Sequence, residues 1–387
     1  MPPIRVLNII TRLEQGGAPL ALLETVKRMD REAFDVTICA GKTEDGNRDL
    51  DVEEAGFDLP VIPVPSLRRS VHPLRDLTAL AHLIRVIRSG KYDVVHTHTS
   101  KAGLIGRIAA WICRVPAIVH SSHGTILQGY FSSTVTSVFS ALERFAASLS
   151  HRIICLTNEE IGQYLDANIG RREQYSYIFN GIDLEAFEAQ RGDRSSLRSE
   201  LGYESQHVVC VTAGRLVPVK GQADLLDAFA IASEEHPDLR LLIIGDGELR
   251  DQLKAQSDTL GISEKIQWVG WRDDVAELLD ASDVFVLTSL NEGLGLVLIE
   301  AMAKRLPVVA TSVGGIPEVV DDGVTGTLVP VGHPEAIANA ITELSASEAG
   351  RKTMGERGYT RAHRLFSIDH TVENTQNVYR EVLASRL

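Results

Sequence analysis

Short runs of β-branched and aliphatic residues alternate along the whole chain with longer stretches whose apolar positions recur every three or four residues. In the first half, Ile4–Ile10, Val36–Cys39, Val94–His96, Ala117–Ser121 and Arg152–Thr157 predict strands, with helices such as Leu20–Met29 and Leu74–Arg88 between them. The second half starts the same alternation again. Val208–Thr212, Arg240–Ile244, Ile266–Val269, Val284–Leu287 and Val308–Ala310 read as strands, with helices opening near Ala223, Gly247, Asp274 and Gly295. Such alternation predicts βαβ units and parallel sheets, hence an α/β fold. A last strand signal, Tyr177–Phe179, ends in Asn180-Gly181 and is followed by the polar stretch Arg191-Gly192-Asp193-Arg194-Ser195-Ser196. The boundary between two doubly wound domains is expected between Gly181 and Leu201.

Composition narrows the class. The 387 residues suffice for two domains that each bury a core. Hydrophobic residues at 44% and charged residues at 24% speak against long disordered segments. The net charge of −13 disfavours a nucleic-acid partner. No apolar run reaches the ~18 residues needed to span a bilayer; the nearest, Ala102 to Cys113, contains Arg107. The N-terminal segment lacks a small-residue cleavage site and reads as a strand, so a cytoplasmic location is expected. The four cysteines show no metal-binding spacing and are read as small buried hydrophobes.

Charge is unevenly spread. Residues 1–180 carry 20 basic and 19 acidic side chains, whereas residues 181–387 carry 19 and 33. Within the first half, residues 61–152 hold 11 basic side chains against only Asp76, Asp93 and Glu143.

Ligands of doubly wound folds sit outside the carboxyl ends of the strands, and four strand-to-helix loops there carry candidate chemistry. Gly16 and Gly17 open a helix after Ile4–Ile10; they read either as a tight turn or as a close backbone approach to a phosphate at a helix N-terminus. Gly214-Arg215-Leu216-Val217-Pro218-Val219-Lys220-Gly221 follows Val208–Thr212. It is either a solvated basic loop or a clamp in which Arg215 and Lys220 grip a diphosphate. Glu292-Gly293-Leu294-Gly295-Leu296 follows Val284–Leu287. With a helix beginning near Leu294, Glu300 lies about 9 Å along it, and the amides of Gly293–Gly295 can meet a phosphate. Glu300 then has either a structural partner or a ribose to bind. His123, after Ala117–Ser121, is either structural or a proton shuttle near neutral pH.

Weaker signals are set aside. His96 and His98 have no third ligand and are read as core or cleft residues. Gly245-Asp246-Gly247 is followed by Arg250 where a dinucleotide fingerprint needs Gly or Ala. Asp49-Leu50-Asp51 lacks strand context for a metal–diphosphate site.

Together, Gly214-Arg215-Leu216 with Lys220-Gly221, Gly245-Asp246-Gly247, and Glu292-Gly293-x-Gly295 with Glu300 resemble the retaining GT-B glycosyltransferases of family 4. Asn180-Gly181-Ile182-Asp183, Val313-Gly314-Gly315-Ile316-Pro317-Glu318 and Asp322-Gly323-Val324-Thr325-Gly326 are similar to further segments of that family, and the likeness covers nearly the whole chain. It implies a GT-B fold, two Rossmann-like domains facing across a cleft. The acceptor-side domain would span 1–188, the nucleotide-sugar donor domain 189–360, and closing helices 361–387 would pack back on the first domain. It implies a UDP- or GDP-sugar donor. Arg215 and Lys220 would bind its diphosphate and Glu300 its ribose. Glu292 with Gly293, Leu294 and Gly295 would hold the transferred sugar, and Leu296 would lie against the nucleotide. Gly16 and Gly17 would complete the phosphate site, with His123 beside the reacting sugar. No cofactor or metal is implied. Pro19 departs from the family pattern, which has a polar residue after Gly-Gly-Ala.

The acceptor would be a glycan or a lipid-linked sugar. Phe131, Val135, Val138, Leu142, Phe145 and Leu149 are spaced 4, 3, 4, 3 and 4 residues apart and share one helix face. With the basic segment 61–152 they form either a surface for anionic lipid headgroups or a core helix under a solvated basic surface. An epimerase on the same scaffold, a glycosidase using Glu292 and Glu300, and a noncatalytic nucleotide-sugar sensor are the competing functions. The basic loop with two separated carboxylates favours transfer.

Overall fold

The computed structural model describes residues 2–14, 17–43, 58–123 and 133–385. They form two compact units, Met1–Gly181 together with Ile368–Leu387, and Ile182–Ser367.

The first unit runs β1 (Ile4–Ile10), α1 (Gly17–Lys27), β2 (Phe34–Ala40), β3 (Val61–Pro63), α2 (Pro73–Gly90), β4 (Val94–His98), α3 (Ser100–Ile112), β5 (Ala117–Ser121), α4 (Ser133–Ser148), β6 (Arg152–Cys155), α5 (Asn158–Asp166) and β7 (Tyr175–Tyr177). Its seven strands lie in the order β3-β2-β1-β4-β5-β6-β7, with all pairings parallel. A parallel sheet covered on both faces reads as an unbroken apolar run, and Val6, Leu7, Ile9 and Ile10 of β1 are all fully buried. Successive side chains point to opposite faces. Val6 and Ile10 join a core with Leu22, Leu23 and Val26 of α1, while Leu7 and Ile9 join one with Leu83 of α2 and Ala109 of α3.

One helix reverses the usual pattern. α4 turns Ser140, Glu143, Ala146 and Ala147 inward, and exposes Val135, Val138, Leu142 and Phe145 by 39–57%. The cause sits under it. Arg107 of α3 is fully buried, and its Nη2 donates to both carboxylate oxygens of Glu143 at 3.1 and 2.8 Å, while its Nε donates to the Gly103 carbonyl at 2.7 Å. Turning the apolar face inward would strand that guanidinium in the core, at a cost of several kcal/mol. The core-helix reading of Val135 to Phe145 is thereby corrected. Leu149 is half-buried, and Phe131 lies outside the described residues.

The second unit runs α6 (Leu184–Ala189), α7 (Arg194–Glu200), β8 (Val208–Ala213), α8 (Gln222–Glu235), β9 (Leu239–Ile244), α9 (Arg250–Thr259), β10 (Ile266–Gly270), α10 (Val275–Asp280), β11 (Val284–Leu287), α11 (Leu296–Ala303), β12 (Val308–Thr311), α12 (Ile316–Val319), β13 (Gly326–Val329), α13 (Pro334–Ala346) and α14 (Glu348–Leu365). The sheet order is β10-β9-β8-β11-β12-β13, again parallel throughout. The chain then returns to the first unit as α15 (Ile368–Ala384), which buries Ile368, Val372, Val378 and Tyr379 in the α1 core.

The units divide seven residues earlier than position 188 and seven later than position 360. The intervening residues bind one another: the Ile182 amide donates to the Phe366 carbonyl at 3.0 Å, and Glu188 accepts from Tyr359 Oη at 3.2 Å and His363 Nε2 at 2.5 Å. All of α14 therefore stays with the second unit, and α15 is the one late helix in the first. The strands β3, β7 and β13 are edge strands of three or four residues, too short to show a period; β7 lies two residues before the position its sequence signal suggested.

Replacing Arg107 by Met leaves the Glu143 carboxylate buried without its cation and is expected to destabilise the protein by about 3–5 kcal/mol. The double variant Arg107→Met/Glu143→Leu is expected to recover most of that loss. Thermal unfolding of the two variants beside the parent checks both statements.

Candidate active site

In the second sheet the strand order reverses between β8 and β11, the position at which doubly wound folds place ligands. The two loops leaving those strands interlock. The Leu290 amide donates to the Val219 carbonyl at 2.8 Å, and Thr288 Oγ1 donates to the Gly221 carbonyl at 2.9 Å. Gly221 has φ 62°, and a Cβ there would lie 2.1 Å from the Thr288 carbonyl oxygen, so only glycine permits this approach. Across the interlock Lys220 Nζ meets Glu292 Oε2 at 2.6 Å, and Ser289 Oγ donates to the same oxygen at 3.1 Å. The pair is mostly withdrawn from water yet still reachable, with side chains 22% and 16% exposed. Arg215 is exposed on the same loop, and its guanidinium has no partner among the described residues.

A third loop closes the arrangement. Gly314, after β12, has φ 50°, and a Cβ there would lie 2.0 Å from the Glu292 carbonyl oxygen. The Gly315 amide donates to that same carbonyl at 3.1 Å. The backbone of Glu292 is thus held from one side while its carboxylate is held by Lys220 from the other.

The helix α11 begins at Leu296, two residues later than expected. Gly295 adopts φ 78°, a left-handed conformation that keeps Gly293–Gly295 out of the helix. Glu300 therefore lies about 6 Å along the helix axis instead of 9 Å. Leu294 is only 3% exposed, so its side chain belongs to the core. Among the described residues, the amides of Gly293, Leu294 and Gly295 donate to no backbone carbonyl. Leu296 is half-buried. Glu300 is half-buried too, with no hydrogen bond or ion pair among the described residues, and desolvation pushes its carboxyl up to about 7. Arg215, Lys220, Glu292 and Glu300 are thus carried on two adjacent strand-to-helix segments.

Gly245-Asp246-Gly247 serves the scaffold. The Leu216 amide donates to the Asp246 carbonyl at 3.0 Å, and Asp246 pairs with Arg250 at 2.9 Å. A depression of this unit, about 750 Å3, is lined by Arg194, Arg198, Asp283 and Lys304 and holds none of the candidate residues. Its charges are consumed in ion pairs such as Arg194–Asp283 at 2.6 Å and Lys304–Asp280 at 3.0 Å.

In the first unit the reversal falls between β1 and β4. Gly17 is the first residue of α1, and Pro19 fits in its first turn, where an amide is not required. Gly16, Gly124 and Asp49–Asp51 lie outside the described residues. His123 sits beyond β5 with φ 56° and belongs to a chain of side chains that sequence reasoning did not assemble. His98 Nε2 lies 3.0 Å from Asn8 Oδ1, and His98 Nδ1 lies 2.9 Å from His123 Nε2. The amide oxygen can only accept, so His98 carries its proton on Nε2 and accepts at Nδ1 from the protonated Nε2 of His123. That leaves His123 Nδ1 as an acceptor, with Asn180 Nδ2 at 3.4 Å. Burial holds both rings neutral: it lowers His98 well below the usual imidazole range and His123 to about 4. The alternation His96-Thr97-His98 was the available signal, since residues i and i+2 of a strand share a face. His96 is a core residue, bonded to Tyr379 Oη at 2.7 Å and Ser121 Oγ at 2.8 Å. Among the described residues no group of three or more His, Cys, Asp or Glu side chains is placed to hold a metal ion.

Two such Rossmann-like units define the GT-B class of glycosyltransferases, and solved structures of that class superpose on the whole chain. Anabaena HepE in complex with UDP-glucose is 26% identical, with a TM-score of 0.80 over 99% of this chain and 100% of that one. Residues 193–361 match the glycosyl transferases group 1 model and residues 16–181 the glycosyl transferase 4-like domain. The UDP-Gal:alpha-D-GlcNAc-diphosphoundecaprenol alpha-1,3-galactosyltransferase of Escherichia coli is 30% identical over 381 residues, covering 96% of this chain and 95% of that protein. The putative glycosyltransferase EpsD of Bacillus subtilis is 27% identical, covering 86% and 87%. The chain belongs to family 4 of the GT-B glycosyltransferases, the glycosyl transferases group 1.

The Glu300 carboxyl gives a signed expectation. Its folded value lies above the ordinary 4.5, so it favours the folded state below about pH 4.5. That advantage is lost as pH rises toward 7 and the buried group ionises. Glu300→Gln is therefore expected to raise the thermal midpoint relative to the parent at pH 8, and to leave it nearly unchanged at pH 4. Melting curves at the two pH values check this.

Proposed function

We propose that this glycosyltransferase moves a hexosyl or N-acetylhexosaminyl unit, with retention, from a UDP- or GDP-sugar to a glycan or lipid-linked acceptor. The observation that carries the reading is the joint placement, at the switch point of the second sheet, of free Arg215, the Lys220–Glu292 pair and the unpartnered carboxylate of Glu300. The relatives support it: the Escherichia coli protein is named for a UDP-galactose donor and a diphosphoundecaprenol acceptor, and the Anabaena structures contain UDP, UDP with glucose, or UDP-glucose. Those names favour transfer over the epimerase alternative. Its four unpaired cysteines suit the reducing cytoplasm in which we place it.

In this reading the diphosphate binds Arg215 in a forked contact and Lys220 as a point charge. Lys220 is already oriented by Glu292, so little ordering is left to the moment of binding. The amides at the start of α11 offer further donors to phosphate oxygens. Glu300 accepts from ribose hydroxyls, a role open to a carboxylate that no protein group satisfies. Glu292 turns its remaining acceptor capacity to the sugar.

The acceptor hydroxyl attacks the anomeric carbon on the face from which the diphosphate departs. The new carbon–oxygen bond forms as the bond to the phosphate oxygen breaks, and the hydroxyl proton passes to that departing oxygen. Negative charge grows on the diphosphate, and Arg215 and Lys220 stabilise it electrostatically. These cations perform the task, so the reaction needs no metal ion.

Lys220→Ala is expected to lower kcat/KM by about a hundredfold or more, the scale for losing one preorganised charge-stabilising donor; steady-state kinetics with UDP- and GDP-sugars checks this. The product anomer, read by proton NMR, is expected to match that of the donor, and inversion would refute the retaining reading. Adding EDTA is expected to leave the rate unchanged, whereas a loss restored by a divalent cation would overturn the metal-free mechanism.

A further inference from the structure

The helices over one face of the first sheet turn an apolar surface to solvent. On α3, Leu104, Ile108 and Trp111 follow at spacings of four and three, the first two half-buried and Trp111 59% exposed. The neighbouring α4 contributes Val135, Val138, Leu142 and Phe145, all exposed. Four large apolar residues on the outside of one helix, above a buried ion pair, are the reverse of what a helix of a water-soluble layer presents.

Apart from the buried Glu143, the charged residues that α3, α4 and the turn after α3 contribute are basic. No acidic residue occurs between Asp93 and Glu143 in the sequence, and Glu143 is buried against Arg107. At the C-terminal ends of the two helices, Arg114, Arg144 and Arg171 line an open depression of about 730 Å3 that includes Trp111 and no acidic side chain. Arg114 and Arg171 have no side-chain partner among the described residues, and Arg144 gives only its Nε to the Ala167 carbonyl at 3.1 Å. Other cations of segment 61–152 are spent inside the fold: Lys101 on Asp76 at 2.6 Å, Arg107 on Glu143, and Arg152 on Glu381 at 3.2 Å.

We propose that this face docks on a bilayer containing anionic phospholipids. Arg114, Arg144 and Arg171 take headgroup phosphates, and Trp111, Leu142 and Phe145 enter the boundary with the acyl chains. Charge decides against a second copy of the chain: in a two-fold contact the same acid-free patch would face itself, arginine against arginine. Among the described residues no helix is long and apolar enough to cross a membrane, so the docking is peripheral. The inference is independent of the donor, the acceptor and the stereochemistry proposed above.

The test is co-sedimentation of the full chain, at low salt, with vesicles of phosphatidylcholine mixed with phosphatidylglycerol, and with vesicles of phosphatidylcholine alone. Binding to the mixed vesicles only is expected, weakening about fivefold for each of Arg114→Ala, Arg144→Ala and Arg171→Ala, and strongly for Phe145→Ser. All four substitutions replace exposed side chains, and an unchanged thermal midpoint shows that each variant is folded. No binding to the mixed vesicles, or equal binding by the variants, overturns the proposal. So does full displacement by inorganic phosphate, which would mark a site for the free anion. A dimer in light scattering that Phe145→Ser splits, with sedimentation unchanged, would assign the face to a second copy instead.

Discussion

The Thr288 and Glu292 carbonyls come within about 2 Å of where a Cβ would stand at Gly221 and Gly314. These two approaches bring the loops after β8, β11 and β12 into mutual backbone contact, and the candidate site is a consequence of that contact. Lys220 precedes one glycine directly and Glu292 owns the carbonyl pressed by the other. Their ion pair is therefore set by main-chain geometry and not by chance meeting of two long side chains, whose ordering would cost entropy. A larger residue at either position would part the loops before it disturbed any group that touches a ligand. Removal of the charged residues themselves would leave the loops joined, so the scaffold and the chemistry are separable.

The two carboxylates of this site illustrate how position divides labour. Glu292 is paired with Lys220 and accepts a hydrogen bond from Ser289. Glu300 is held on a helix among Leu298, Ile299 and Met302 with no protein partner, and burial raises its carboxyl to about 7. An unsatisfied acceptor in such a place is costly for the protein. The first unit contrasts with this: the contacts among Asn8, His98 and His123 define which ring nitrogens carry protons, although Asn8 Nδ2 stays buried without a partner among the described residues. One site waits for a partner, while the other is already ordered.

The alternating runs made both sheets legible, because central parallel strands are apolar on both faces and announce themselves without a period. Strands β3 and β13 escaped notice since edge strands of three and four residues carry no such signature. That Arg215, Lys220, Glu292 and Glu300 sit on two strand-to-helix segments of the second half was legible as well. The start of α11 was not, because the left-handed turn at Gly295 is a backbone choice that glycine allows but does not compel. The orientation of α4 was not legible either, for a different reason. Periodicity shows that Val135, Val138, Leu142 and Phe145 share a face, and only Arg107, 36 residues before Glu143 in sequence, determines which way that face turns. A local pattern cannot report a long-range ion pair. Likewise the chain Asn8–His98–His123 joins three separate strands or strand ends, and its members look unremarkable one at a time.

The return of α15 to the first unit has a bearing on synthesis. Tyr379 lies in the core beside Phe34 and bonds His96, and Val372, Val378 and Val382 cover the same apolar face as α1. These residues are made after the whole of the second unit. The second unit can close while translation continues, but the first must wait with one face of its sheet open until the final helix arrives. For the time needed to make roughly two hundred residues, at about 5–20 residues per second, the earlier-made half of the enzyme is the unfinished one.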